Sequence, residues 1–383
     1  MCIKIIKQFI SCFVLTLLLL NTFCLKVYAN EKTMTIGYVL IEAESKAIIS
    51  SSNENMPVSV GVMSKLMTIY LVGEAIESKQ ISIDDTLKAS TYANSVKGAT
   101  IWLMPGEEIT VEELIKALII GNANDAAVVL AEKISGTEEK FVEKMNEKAK
   151  SLGMNDTSFT NCNGFYDDEK QISTAYDLAI LCSALVEFDF LRDYFVCWRD
   201  YVRGGQTELV NSNELVKSYK GLIGFKSGYT ENSGYCTALA AKRDEATYIS
   251  VIIGCKEKSD SLSKAKNLLD MAFSQYTITT PQLPEKIPEE ISVKGGMKKT
   301  VPIEYKNVRK VVLPNSAINS VTSKIVLTDF IYAPVSKNYK VGEIQFLRND
   351  KLMFCVDIVT KENIEEINAR KSLNIILKKL LTF

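Results

Sequence analysis

The stretch VMSKLMTIYLVGEAIES, residues 62–78, is apolar around nearly its whole helical circumference, yet one lysine, Lys65, stands near its start. A helix without a polar face has to be enclosed by other elements, so the chain must fold into several packed layers around it. Ser59 or Gly61 is placed to cap its start. Burying an ammonium costs several kcal/mol, and a lysine at such a place either snorkels from the helix end or carries chemistry.

Composition narrows the chemistry. With 383 residues and 47% hydrophobic content the chain can bury a large core in two or three domains. Lys plus Arg number 45 against 46 Asp plus Glu, and no basic stripe runs among aromatics, so no nucleic-acid partner is expected. Histidine is absent altogether, which removes Ser-His, Cys-His and histidine-ligated metal mechanisms. No metal and no cofactor is expected, and a general base has to be Lys, Glu, Asp or Tyr. Cys162, Cys182, Cys197, Cys236, Cys255 and Cys355 form no CxxC pair and mostly lie in apolar stretches, so they are expected to be free thiols.

Residues 1–29 place Lys4 and Lys7 before an apolar stretch and end on Val27-Tyr28-Ala29, the pattern of a secretory signal. Export is therefore expected, with the mature chain at the outer face of the cytoplasmic membrane. Residues 30–276 read as a hairpin, then several helices, then strands and a closing helix, which argues an α+β domain. Three prolines in residues 277–290 mark a linker. Short alternating runs over residues 291–362 predict a small all-β domain. In residues 363–383, Leu373, Ile376, Leu377, Leu380 and Phe383 share one helical face while Arg370, Lys371, Lys378 and Lys379 lie elsewhere, the pattern of an amphipathic helix that meets a membrane surface through residues 370–383 or docks on the β domain.

Three short stretches occur in order: Lys65 in SKLMT, the sequence NAND at 122–125 between two helical patterns, and KSG at 226–228 between a strand and a turn. With MPGEEITVEELIKALI, LGMNDTSF, STAYDLA and GFKSGYT around them, they resemble the low-molecular-mass penicillin-binding proteins, the serine-type D-alanyl-D-alanine carboxypeptidases, whose motifs are S-x-x-K, S-x-N and K-[TS]-G. The resemblance covers most of residues 34–276. It implies the β-lactamase/transpeptidase-like fold, an antiparallel sheet flanked by helices with a helical subdomain, and a role in peptidoglycan metabolism with D-Ala-D-Ala stem peptides or β-lactams as ligands. It also implies roles for single residues. Lys65 takes the general-base position. Asn124 binds the substrate amide. Lys226, Ser227 and Gly228 align the peptide, and the backbone N–H groups of Val62 and Tyr229 form the oxyanion hole.

Two positions depart from that pattern. Val62 stands where the nucleophilic serine belongs, three residues before Lys65, and Asn122 stands at the serine of S-x-N. Ser64 points about 100° away from Lys65 on a helix, and Ser59 lies too far back unless a loop brings it in. Two readings follow. In one, the chain is an exported binding or regulatory relative, a pseudoenzyme that holds stem peptides or a partner protein in the cleft without cutting. In the other, it is a working carboxypeptidase that uses Ser59 or a water activated by Lys65. With Lys65 and Lys226 in one cleft, an anion or carboxylate site is expected there.

Overall fold

The computed structural model describes residues 37–165, 170–306 and 308–369; the expected signal segment and the expected amphipathic stretch 370–383 lie outside them. Strands β1 (Gly37–Glu42) and β2 (Ile48–Ser52) form the predicted hairpin. The chain then passes through the two-residue strand Val58–Ser59 and a 3-10 turn, Gly61–Ser64, into helix α1 (Lys65–Glu77). The apolar run is thus part turn and part helix, and Ser59 is paired with Ile172 in a strand, not capping a helix.

Helix α1 buries Lys65, Leu66, Met67, Thr68, Ile69, Leu71, Val72, Gly73 and Ala75. Around it lie α2 (Val111–Ile119), α3 (Asn124–Ser135), α4 (Glu138–Leu152) and α5 (Ala175–Leu185). Thr110 and Glu113 start α2 with reciprocal side-chain bonds, a full capping box. Thr174 caps α5 by accepting the Asp177 N–H. Gly153 ends α4 in the left-handed conformation that glycine adopts without strain.

Strands β3 (Leu222–Thr230), β4 (Gly234–Arg243) and β5 (Ala246–Cys255) complete a five-stranded antiparallel sheet in the order β2-β1-β5-β4-β3. The two-residue period of a strand divides the central strands between two cores. Val39, Ile41, Ile249, Val251 and Ile253 join the helical cluster. Leu40, Leu239, Tyr248 and Ile252 turn to the other face, against Ala265, Leu269 and Ala272 of α6 (Lys258–Gln275).

A second sheet of six strands follows, β6 (Glu290–Lys294), β7 (Thr300–Tyr305), β8 (Val321–Leu327), β9 (Phe330–Tyr332), β10 (Lys340–Arg348) and β11 (Lys351–Thr360), in the order β8-β10-β11-β7-β6-β9. Its own core gathers residues such as Val301, Ile344, Phe346 and Ile358. Two details differ from expectation. Tyr276–Thr279 pairs with Val311–Pro314, so the start of the expected linker is strand. Ile364 and Glu366 bridge to Val335 and Gly296, so residues 363–366 are held by the β domain and do not begin a helix. The six described cysteines are free.

Candidate active site

A cavity of about 530 Å³ lies where the 3-10 turn, the α2–α3 connection and the end of β3 meet. Val62, Lys65, Asn122, Asn124, Gly228 and Tyr229 all line it. Six of the eight residues singled out from sequence are therefore gathered at one place. Lys226 and Ser227 are buried in the strand behind.

Val62 sits in the 3-10 turn, pressed against β3: a Cβ on Gly228 would stand 2.2 Å from Val62 Cγ2. Gly61, with φ +45°, leaves no room for a side chain beside Thr230 Oγ1, which would be 2.5 Å away. The two residues assigned the oxyanion-hole N–H groups, Val62 and Tyr229, thus flank the same opening. The neighbouring serines are placed elsewhere. Ser64 is fully buried and its Oγ donates to the Gly61 carbonyl at 3.0 Å. Neither Ser59 nor Ser64 lines the cavity among the described residues.

Lys65 is 1% exposed and its Nζ donates to the Asn163 carbonyl. Desolvation lowers its pKa to about 7, so about half of it is neutral at neutral pH. That is the state a general base needs. Asn163 was not foreseen, although its surroundings carry a signal. In Asn161-Cys162-Asn163-Gly164 the Asn161 Oδ1 accepts the Gly164 N–H and Asn163 Oδ1 accepts the Phe165 N–H, the Asx turns such a sequence favours.

Lys226 corrects an expectation. It is 1% exposed, and its Nζ donates to the carbonyls of Leu118 and Ile119, both at 3.0 Å, at the C-terminal end of α2. Unsatisfied carbonyls and the negative end of a helix dipole suit a cation. Burial, and then the charge of Lys65, hold its pKa well below the usual lysine range. Lys65 alone of the two lysines lines the cavity, so the geometry does not offer the paired cations expected for an anion site.

Asn122 adopts φ +58°, in the left-handed region that asparagine tolerates better than most residues. Its Nδ2 donates to Ser212 Oγ at 3.0 Å, and Ser212 Oγ donates to the Ser227 carbonyl at 2.5 Å. Asn122 therefore staples the α2–α3 connection to β3 across the cleft. Asn124 begins α3 and is 2% exposed; its Nδ2 donates to the Lys97 carbonyl and its N–H to the Ala99 carbonyl. Among the described residues, the buried Oδ1 atoms of both asparagines find no hydrogen-bond partner. Ser227 Oγ shares a hydrogen bond with Thr237 at 3.1 Å, and the Tyr229 ring, half exposed, lies 4.7 Å from that of Tyr235. Phe165, Thr230 and Glu231 complete a wall that motif spacing alone did not disclose. Among the described residues no group of three or more His, Cys, Asp or Glu is placed to hold a metal.

Comparison with known proteins gives the same reading. Residues 27–257 match the D-alanyl-D-alanine carboxypeptidase family, and residues 279–366 match the C-terminal domain of penicillin-binding protein 5. The D-alanyl-D-alanine carboxypeptidase DacF of Bacillus subtilis is 32% identical over 94% of this chain and 95% of its own. Among solved structures, penicillin binding protein 5 of Haemophilus influenzae superposes with a TM-score of 0.78 at 25% identity, covering 86% of this chain and 97% of that one. Penicillin-binding protein D2 of Listeria monocytogenes, solved with ampicillin bound, matches with a TM-score of 0.57 at 26% identity over 62% of this chain and 97% of its own. With Lys65, Asn124 and Gly228 lining one cavity and Lys226 and Ser227 in the strand behind it, the chain belongs to the D-alanyl-D-alanine carboxypeptidase family of penicillin-binding proteins.

Proposed function

We propose that this member of the family holds the D-Ala-D-Ala end of peptidoglycan stem peptides in the cavity without forming an acyl-enzyme. The observation that carries this reading is the packing of Val62 on Gly228, which puts two methyl groups where the attacking hydroxyl would be. Loss of a nucleophilic serine costs about a millionfold in turnover in a comparable hydrolase. Asn122 supports the same reading, since its amide nitrogen donates to Ser212 and has no basic lone pair with which to take up and relay a proton. The binding elements persist: Asn124, Tyr229 and Gly228 line the cavity. A β-lactam would enter the same site reversibly.

The test is covalent labelling of the purified chain by a fluorescent penicillin. The native chain is expected to remain unlabelled after denaturation, while Val62→Ser becomes labelled and Val62→Ser combined with Lys65→Ala does not. Covalent label on the native chain would overturn the proposal. A second reading, slow hydrolysis through a water activated by Lys65, is favoured by the pKa of about 7 at that residue. Release of D-alanine by the native chain, abolished in Lys65→Met, would establish it.

The place of action proposed is the outer face of the cytoplasmic membrane. The charged and apolar order of residues 1–29 and the cationic amphipathic pattern of residues 370–383 support it. An N-terminus at Asn30 in the mature chain, recovered with membranes, is the expected result.

A further inference from the structure

The loop that walls one side of the cavity continues into an unusual presentation of a tryptophan. Ala99 lines the cavity, and three residues later Trp102 holds φ +54°, a conformation that bulky side chains rarely adopt. Two buried or half-buried charged groups impose it. The Asp125 carboxylate, 1% exposed, accepts the N–H groups of Ile101 and Leu103. Arg203, paired with Glu107, donates to the carbonyls of Ile101 and Trp102. The result is that Ile101 and Leu103 point into the core while Trp102 is 76% exposed and Met104 is 62% exposed. Strain kept in place by such a frame, beside a binding cavity, points to use.

We propose that Trp102 is a stacking shelf for a sugar ring of the glycan strand whose stem peptide enters the cavity. The inference rests on the reading of the cavity as a stem-peptide site. The stem peptide is covalently joined to an N-acetylated hexosamine, so a ligand anchored by its D-alanyl end carries that sugar outward. Trp102 is at most about 11 Å of chain from Ala99, and a stem peptide of about five residues spans about 17 Å, so the two reaches overlap. The chemistry of the shelf suits a pyranose, which offers C–H faces to an aromatic ring and hydroxyls to polar groups at its edge. Here the ring belongs to Trp102, and the Arg203–Glu107 pair, bonded to the same loop, supplies the polar edge.

The test compares binding of a disaccharide-pentapeptide, of the same pentapeptide without sugar, and of glycan strands stripped of peptide. Trp198, whose ring lies under Lys217 Nζ, is replaced by Phe so that emission reports Trp102 alone. The chain is expected to bind the sugar-bearing peptide about fivefold more tightly than the bare peptide, the worth of one good stacked contact. Trp102→Ala should remove that difference and leave the bare-peptide affinity unchanged, while Trp102→Tyr keeps part of it. Equal affinity for the two peptides in the native chain, or a parallel loss of both in Trp102→Ala, would overturn the proposal. If the bare peptide fails to bind but stripped glycan still shifts the Trp102 emission, the shelf stands and the stem-peptide reading falls; no response to stripped glycan in that case removes the shelf as well.

Discussion

At the scale of single residues, Lys65 is a group whose folded state works against its charge. Burial holds its pKa near 7, against an ordinary value of 10.5. Below pH 7 the folded chain carries the whole penalty of a buried ammonium. Between pH 7 and 10.5 the unfolded chain binds a proton that the folded chain does not, so stability rises with pH across that window. Removing the amine should therefore help most in acid. Lys65→Met leaves the Asn163 carbonyl without its donor, a cost of about 1–3 kcal/mol, and also relieves the repulsion that Lys65 exerts on Lys226. The net expectation is a melting temperature raised by about 4 °C at pH 6, with the gain shrinking steadily toward pH 10. Calorimetry of both proteins across that range checks it, and a gain independent of pH would show that Lys65 is not the titrating group. Val62 shows the converse choice: an apolar side chain that packs on Gly228 at no cost in charge, in the place where a reactive hydroxyl would need a neighbouring base.

At the scale of elements, the start of α3 is held by a buried carboxylate that the core accepts because backbone N–H groups satisfy it. Asp125 accepts N–H groups from Ile101, Leu103 and its own successor Ala126, and so ties the start of α3 to the loop that walls the cavity. Asp125→Ala would leave those N–H groups without an acceptor in a buried place, a loss of about 3 kcal/mol by urea denaturation, with faster amide exchange at Ile101 and Leu103. Asp125→Asn keeps one acceptor and should lose less; equal losses would mean that the carboxylate acts by charge alone. Sequence pattern was enough to place helices on either side of residues 122–125, because periodicity is local, and the family resemblance was enough to bring Lys65, Asn124 and Gly228 together. It was not enough to place Lys226, whose direction depends on the end of a helix about a hundred residues earlier, nor the staple from Asn122 through Ser212. The start of the buried run was misread for a similar reason. The residues before Lys65 are apolar enough for a helix, but Gly61 at φ +45° and the strand pairing of Ser59 with Ile172 turn the chain there instead.

At the scale of the whole molecule, two separate hydrophobic cores predict two separate losses of structure. The core of the six-stranded sheet draws only on residues from 283 onward, whereas the large clusters around the five-stranded sheet take in Val312 alone from that region. Apart from that contact, the short strand pair Tyr276–Thr279 with Val311–Pro314 and the turn Asn315–Ser320 beside it, the described polar links between the two parts include the exposed ion pair Lys310–Glu245 and the bonds between Asn315 and Ser274 and Thr277. Exposed pairs of that kind contribute at most about 1 kcal/mol each. Coupling so thin does not force one cooperative transition, and calorimetry of the chain should show two. A chain ended after Tyr276 should keep the transition of the larger part within a few degrees, since it gives up the packing of Val312 and one short strand pairing but none of the buried core around Lys65. It should also keep the labelling gained by Val62→Ser, because every residue lining the cavity lies before position 233. A single transition in the chain, or a shortened chain that melts without cooperativity, would mean that the β domain holds the cleft together and is not merely attached to it.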